Sequence, residues 1–244
     1  MCTVVFAWQW WGDTPLVLVA NRDELVSRAS DPPLLLQPQP PLWGGRDRLA
    51  GGTWLAVDPR GRVCAVTNRH PGGRLSTRDA ARRSRGELPA EVLCADGDSG
   101  AQGVLDGLEA GSFNPVNVLY LSATSAAWVG LDDEVGRRSA SLAPGVHVLT
   151  EQDPDDPSSA KTTRLLRSAR EVAASAFDPD ALVDGWRDLL RSHARQGDGP
   201  QSAACIHEEL FGTVSSSTVV IGAGRTGYEH AEGHPCVTAY HRVM

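Results

Sequence analysis

The sequence predicts an α+β fold in which antiparallel sheets carry helices packed outside them. Three observations lead there. Strand-like and helix-like runs follow one another in blocks: strands, helices, strands, helices, strands. The regular strand–helix alternation that builds a doubly wound parallel sheet is missing. The length of 244 residues is within reach of one domain, because β-rich and α/β domains extend to roughly 250. A chain of that size buries a substantial core without disulfides or metals. Residues 1–244 are therefore expected to form a single domain, or two tightly joined halves.

The elements follow in order. Residues 2–11, rich in Val, Phe and Trp, form a strand that Gly12-Asp13-Thr14-Pro15 turns into a second apolar run at 16–20. Both runs are apolar on both faces, the mark of strands buried between layers. Asn21-Arg22-Asp23-Glu24 follows directly. Residues 30–41 contain five prolines, which excludes a helix or a central strand, so this stretch reads as a loop. A second hairpin spans 53–57 and 62–67 around Asp58-Pro59-Arg60-Gly61, where proline pre-sets the φ of a type I turn. Residues 78–110 are predicted helical. Strand patterns return at 116–122, 126–131 and 146–149. Residues 161–177 place Leu165, Leu166, Ala169, Val172 and Ala173 at helical spacing, and 180–195 repeat the pattern behind Asp180 as N-cap. Short strands are expected at 204–209, 216–221 and 234–242.

Composition excludes several classes. A hydrophobic fraction of 41% with 22% charged residues is that of a globular chain, not a disordered one. The net charge of -7 argues against nucleic acid as partner, since phosphate binding is driven by Lys and Arg clusters. Among 23 basic residues Lys161 is the only lysine, a skew that reads as coding bias without functional weight. The cysteines are Cys2, Cys64, Cys94, Cys205 and Cys236; the count is odd, no pair has CxxC spacing, and neither a disulfide nor a zinc framework is expected. No secretory signal and no apolar run long enough to span a membrane is visible, so a reducing, cytoplasmic setting is expected.

One cysteine stands out by address. Methionine aminopeptidase removes Met1 when the next side chain is small, and Cys2 would then carry a thiol and a free α-amine on one residue. An α-amine titrates near 7.7–8.0, so a useful fraction can accept the proton of its own side chain. A terminus is normally frayed, but Val4-Val5-Phe6-Ala7-Trp8 reads as a central strand that would anchor it. The alternative is an ordinary cysteine that happens to be second.

Asn21-Arg22-Asp23-Glu24 places four polar residues after a buried strand, which is expensive unless they are solvated or used. An arginine beside a thiolate lowers its pKa, and a carboxylate holds an α-amine in place. In a continued strand Asn21 and Asp23 face one way and Arg22 and Glu24 the other, so both Arg22 and Asp23 reach Cys2 only if the chain bends. A solvated strand end with an ion pair is the competing reading. Asn68 ends the strand Val63-Cys64-Ala65-Val66-Thr67, where an amide can donate to an oxyanion or serve ordinary turn chemistry.

Taken together, Cys2, Leu18-Val19-Ala20-Asn21-Arg22-Asp23-Glu24, Gly51-Gly52-Thr53-Trp54-Leu55-Ala56 and Ala65-Val66-Thr67-Asn68-Arg69 resemble the NRDE family, also called the transport and Golgi organisation protein 2 family. Ser84-Arg85-Gly86-Glu87-Leu88, Phe113-Asn114 and Pro144-Gly145-Val146-His147-Val148-Leu149-Thr150 match further family segments in order, so the resemblance covers nearly the whole chain. The family is similar to N-terminal nucleophile hydrolases of the penicillin V acylase and bile salt hydrolase type. That implies an αββα sandwich and cleavage of a non-peptide C–N amide bond of a small molecule. It implies Cys2 as nucleophile, Asn68 as oxyanion donor, and Arg22 and Asp23 around the cysteine. Asn21, Glu24, Trp54 and Glu151 would line the pocket or support it.

The chain departs from the hydrolase pattern in places. The hydrolases read Arg-Asn-x-Asp where this chain reads Asn-Arg-Asp-Glu. They have Thr-Asn where this chain has Thr150-Glu151, and the family's Gly-Thr-Arg-Ser-Ser is here Gly212-Thr213-Val214-Ser215-Ser216, which drops a cation. Members of the family are also linked to haem trafficking, which implies an alternative: a non-catalytic carrier of haem or another amphipathic ligand. Neither reading calls for a resident cofactor or metal.

Two patterns are set aside. Gly222-Ala223-Gly224-Arg225-Thr226-Gly227 follows an apolar strand, but the 17 residues after Gly227 cannot supply the rest of a dinucleotide-binding unit, so a hairpin turn is expected. His230, His234 and Cys236 suggest a metal only superficially, since Gly233 and Pro235 exclude a helical i,i+4 pair.

Overall fold

The computed structural model describes residues 2–70, 78–195, 199–222 and 225–244. The fold is α+β with antiparallel sheets throughout, as predicted. It divides into two compact units, one formed by Met1–Ser27 with Pro144–Met244 and the other by Arg28–Ala143.

The first unit is built on a six-stranded sheet. Its strands are β1 (Thr3–Trp11), β2 (Thr14–Leu25), β10 (Gly145–Leu149), β11 (Phe211–Gly222), β12 (Arg225–Glu232) and β13 (His241–Arg242), in the order β10-β1-β2-β11-β12-β13. Helices α3 (Ala160–Ser175) and α4 (Pro179–Arg191) cover one face. Val5, Ala7, Val17 and Val19 meet Leu165, Ala169, Leu182 and Trp186 in this core. Alternate residues on the opposite face, Val4, Phe6, Leu16 and Leu18, are wholly buried too, as the two-faced apolar runs require.

The second unit is built on a seven-stranded sheet in chain order. It runs from β3 (Ser30–Pro38) and β4 (Pro41–Asp47) through β5 (Leu55–Val57), β6 (Val63–Asn68), β7 (Val116–Leu121) and β8 (Ala126–Asp132) to β9 (Gly136–Ser141). Helices α1 (Leu88–Cys94) and α2 (Gly97–Asp106) share its core with Cys64, Val66, Val118, Tyr120 and Val129. Gly52 is pressed against Gly86, where a Cβ would come within 2.5 Å of backbone, and Thr53 N donates to Gly86 O at 2.9 Å.

Several expectations need correction. Residues 30–38 are not a loop but an edge strand, the position where proline costs no ladder hydrogen bond. Residues 78–110 are helical only in part, in two short helices at 88–94 and 97–106. Arg62, paired with Asp58 at 2.8 Å, donates to the carbonyls of Leu93 (2.7 Å), Ala95 (2.8 Å) and Gly97 (3.3 Å), and so closes the end of α1. Asp178, not Asp180, caps α4, accepting from Ala181 N at 2.7 Å. Residues 204–209 make only a bridge, His207 with Gly212, and of 234–242 only His241–Arg242 is strand, the rest being turn, bend or irregular chain. Strand β9 escaped notice because Gly-Arg-Arg-Ser-Ala-Ser is almost wholly exposed and carries no apolar alternation. Strand β12 answers the expectation at the glycine motif: Gly222 pairs with Arg225 across a hairpin whose two tip residues lie outside the described ones. Among the described residues no helix is long and apolar enough to cross a membrane.

Candidate functional site

Cys2 stands directly ahead of β1 and is half-buried. Its anchoring follows from the strand behind it, whose residues 3–8 are all buried. Thr3 pairs with Asn21 on β2, and one further step of the same register sets Cys2 against Arg22. Alternation then turns Cys2 and Arg22 toward one face, and Thr3, Asn21 and Asp23 toward the helices. The Cys2 thiol contacts the backbone carbonyl of Asp23 at 3.9 Å.

No bend in β2 is needed for this. The strand runs through the polar cluster to Leu25, and Arg22 and Asp23 are buried within it. Arg22 influences the thiol by facing it, and Asp23 reaches it through its main chain. The irregularity lies on the neighbour instead: Thr213 pairs with Asp23 and Ser215 with Arg22, which leaves Val214 as the extra residue of a β-bulge. Burial pushes the Cys2 thiol above the ordinary cysteine value, and the charge of Asp23 adds to this. The carbonyl contact and the positive charge of Arg22 act in the other direction.

The Asp23 carboxylate is held from two sides. Thr213 Oγ1 donates to Oδ1 at 2.6 Å, while Thr213 also accepts from Ile206 N at 2.9 Å. The Lys161 ammonium, on the first turn of α3, lies 3.9 Å from Oδ2. A cation thus stands beside Asp23, supplied from a helix. Asn21 serves the scaffold: its Nδ2 donates to Leu190 O and Ala204 O, both at 2.9 Å, and so satisfies a carbonyl of the last turn of α4. Glu24 is half-buried and accepts from the adjacent Leu25 N at 2.9 Å. Glu151 is buried just beyond β10, with Oε2 making no hydrogen bond.

Asn68 and Trp54 belong to the second unit. Asn68 is the last residue of β6, half-buried and opposite Val116. Trp54 packs partly buried on the second core, and its carbonyl accepts from Val66 N at 2.8 Å.

Sequence reasoning missed Lys161 and Thr213. A signal existed for the first. A chain with one lysine among 23 basic residues has kept an ammonium at a single position, and that position is buried beside the polar cluster. Thr213 carried no signal, because only the strand register places it against Asp23.

Two solved structures with a similar fold carry the names of hydrolases. The chain is similar to the N-acylethanolamine-hydrolyzing acid amidase ortholog of Caenorhabditis elegans, with a TM-score of 0.57, 12% identity, and 92% of this chain and 94% of that one covered. It is similar also to a mutant conjugated bile acid hydrolase from Clostridium perfringens, with a TM-score of 0.51, 9% identity, and 100% and 97% covered. At such identities the likeness shows the fold alone, and it agrees with the αββα class that the family resemblance implies.

Residues 1–229 match the family described as Transport and Golgi organisation 2, and the chain belongs to that family. It is 27% identical over 246 residues to the Transport and Golgi organization protein 2 homolog of Bos taurus, covering 85% of this chain and 82% of that protein. The Mus musculus homolog is 26% identical with the same coverage.

Proposed function

We propose that the protein is a cysteine N-terminal nucleophile hydrolase that cleaves a non-peptide C–N amide bond of a small molecule once Met1 has been removed. The single observation that carries this reading is Cys2 ahead of a buried strand, in register with Arg22 and in contact with the Asp23 main chain. The fold supports it, and the similar C. elegans and C. perfringens proteins are named as an N-acylethanolamine-hydrolyzing acid amidase and a conjugated bile acid hydrolase.

The chemistry then runs as follows. The Cys2 sulfur adds to the amide carbonyl while its own α-amine takes the thiol proton. The carbonyl π electrons move to oxygen, where an amide donor stabilises the oxyanion; the family resemblance gives this role to Asn68. The intermediate collapses, the C–N bond breaks, and the α-ammonium returns its proton to the leaving amine. Water then attacks the thioester, the amine takes a proton from it, and the acid departs as the thiol reforms. Arg22 supplies positive charge beside the sulfur, and Asp23, held by Thr213 and Lys161, orients the terminus.

Intact-mass measurement of active protein tests the central requirement. Loss of Met1 is expected; activity in protein that retains Met1 would overturn the mechanism. Cys2→Ser and Cys2→Ala should abolish labelling by an acylating amide analogue. Saturable haem binding that persists in Cys2→Ala, with no acyl transfer in the parent chain, would instead favour the carrier.

A further inference from the structure

A second constellation of reactive side chains lies in the first unit. His193, Cys205, His207 and Cys236 each present one ligand atom, and the four atoms lie within 4.8 Å of one another. We propose that these four residues form a tetrahedral site for a divalent transition metal of the zinc class.

The distances fit that geometry. A zinc–sulfur bond is about 2.3 Å and a zinc–nitrogen bond about 2.0–2.1 Å, so the edges of a tetrahedron come to roughly 3.8 Å between sulfurs and 3.5 Å between sulfur and nitrogen. The Cys205 and Cys236 sulfurs are 3.8 Å apart, and Cys236 Sγ is 3.2 Å from His207 Nε2. Two thiols and two imidazoles are the donor set that zinc takes in closed structural sites. His193 Nδ1 is 3.0 Å from the Cys205 carbonyl. A carbonyl only accepts, so Nδ1 carries the proton and Nε2 keeps the lone pair for a metal. This is the outer hydrogen bond that fixes a ligating histidine.

The backbone holds each donor independently of any ion. His193 follows the end of α4, where Ser192 O accepts from Cys205 N at 3.0 Å. Cys205 and His207 are two apart and both present their donors to the cluster, and Ile206 between them exchanges hydrogen bonds with Thr213. Cys236 sits in the turn after β12, tied to α4 where Arg191 Nε donates to Pro235 O at 3.0 Å. His234 stacks on His207 with ring centroids 3.7 Å apart. Cys205 is buried and Cys236 half-buried, while both histidines are exposed, which leaves an entry path.

Sequence spacing could not reveal this set. It offered His230, His234 and Cys236, of which only Cys236 takes part: His230 bonds Ser217 and Glu232. The true partners lie 12, 14 and 43 positions from His193, on three segments that only the fold brings together. On loading, both thiols lose a proton to solvent and the ion takes two thiolates and two imidazoles. The ion would then clamp the end of α4, the 205–207 segment and the turn after β12. Asn21 binds the same region through Leu190 O and Ala204 O, so the clamp lies behind the strand that carries the polar cluster.

Titration of reduced, chelator-treated full-length protein with Co2+ alone tests the site. One equivalent should bind with thiolate-to-metal charge-transfer absorption and the intense visible bands of tetrahedral cobalt, and one equivalent of Zn2+ should displace it. Cys236→Ser and His207→Gln should weaken Zn2+ binding more than about 100-fold, beyond the loss of an outer-shell partner. His193→Gln, at an exposed position, should do the same without disturbing the core. Absence of charge-transfer absorption in the parent chain would overturn the proposal. So would stoichiometric binding that survives Cys236→Ser, or Cys205 and Cys236 that only oxidise to a disulfide and take no metal when reduced.

Discussion

The Lys161 ammonium lies 3.9 Å from the Asp23 carboxylate, with the two side chains only 5% and 0% exposed. A buried pair of this kind is costly to break from one side, because the partner is left as a charge away from water. Asp23→Asn and Lys161→Met should each destabilise the protein by about 3 kcal/mol. The double variant should be clearly less destabilised than the sum of the two, since neither charge then lacks its counterpart. Urea unfolding of the four proteins measures the coupling, and additive effects would show that the pair does not act as one.

The Cys2 thiol should titrate high in a chain that retains Met1. Burial and the charge of Asp23 raise it from the usual 9.0, while Arg22 lowers it. Its alkylation at neutral pH should therefore be slower than that of a free cysteine, rising with pH to an inflection above 9.0. Arg22→Leu removes the positive charge and should move the inflection further up. Peptide-resolved mass spectrometry of iodoacetamide-treated protein separates Cys2 from the other thiols. An inflection below that of free cysteine would show that the site lowers the thiol before Met1 is lost.

The sequence carried the fold where hydrophobic pattern and turn chemistry were strong. Both faces of β1 and β2 read as buried because Val, Phe, Leu and Trp occupy both alternations, and Asp58-Pro59-Arg60-Gly61 made its turn. It failed where tertiary context decides. The prolines of 30–38 are compatible with a strand only because that strand lies at an edge, and the exposed β9 is a strand only because β8 offers it a ladder. Of the polar cluster, Cys2, Arg22 and Asp23 were legible as a group, because four polar residues after a buried run need a use. The role of Asn21 as an anchor for α4, the counter-charge at Lys161 and the Thr213 contact depend on pairings between residues 138 to 190 positions apart, which no local pattern encodes.

Arg62 should prove a stability residue of the second unit. Its guanidinium is 5% exposed, pairs with Asp58 and caps the carbonyls of α1. Arg62→Met leaves Asp58 buried without its charge partner and the end of α1 without donors. A loss of about 3–5 kcal/mol is expected in urea unfolding, with early hydrogen exchange in 88–94. Arg62→Lys should recover only part of this, because one ammonium cannot reach the same fork of carbonyls.

Thr213 provides the finest test of how the cluster is held. The bulge at Val214 is what brings Thr213 opposite Asp23, and one hydroxyl then serves two partners: it donates to Asp23 Oδ1 at 2.6 Å and accepts from Ile206 N at 2.9 Å. Thr213→Val keeps the shape and removes both bonds, leaving a buried amide and a buried carboxylate oxygen short of a partner. That should cost about 1–3 kcal/mol. Thr213→Ser restores the hydroxyl and should return most of the stability. The two substitutions also separate position from chemistry. If Asp23 orients Cys2, amide turnover should fall in Thr213→Val and recover in Thr213→Ser. If Thr213→Val keeps its stability while Thr213→Ser loses it, the methyl group and its packing matter, and the hydroxyl does not hold the carboxylate.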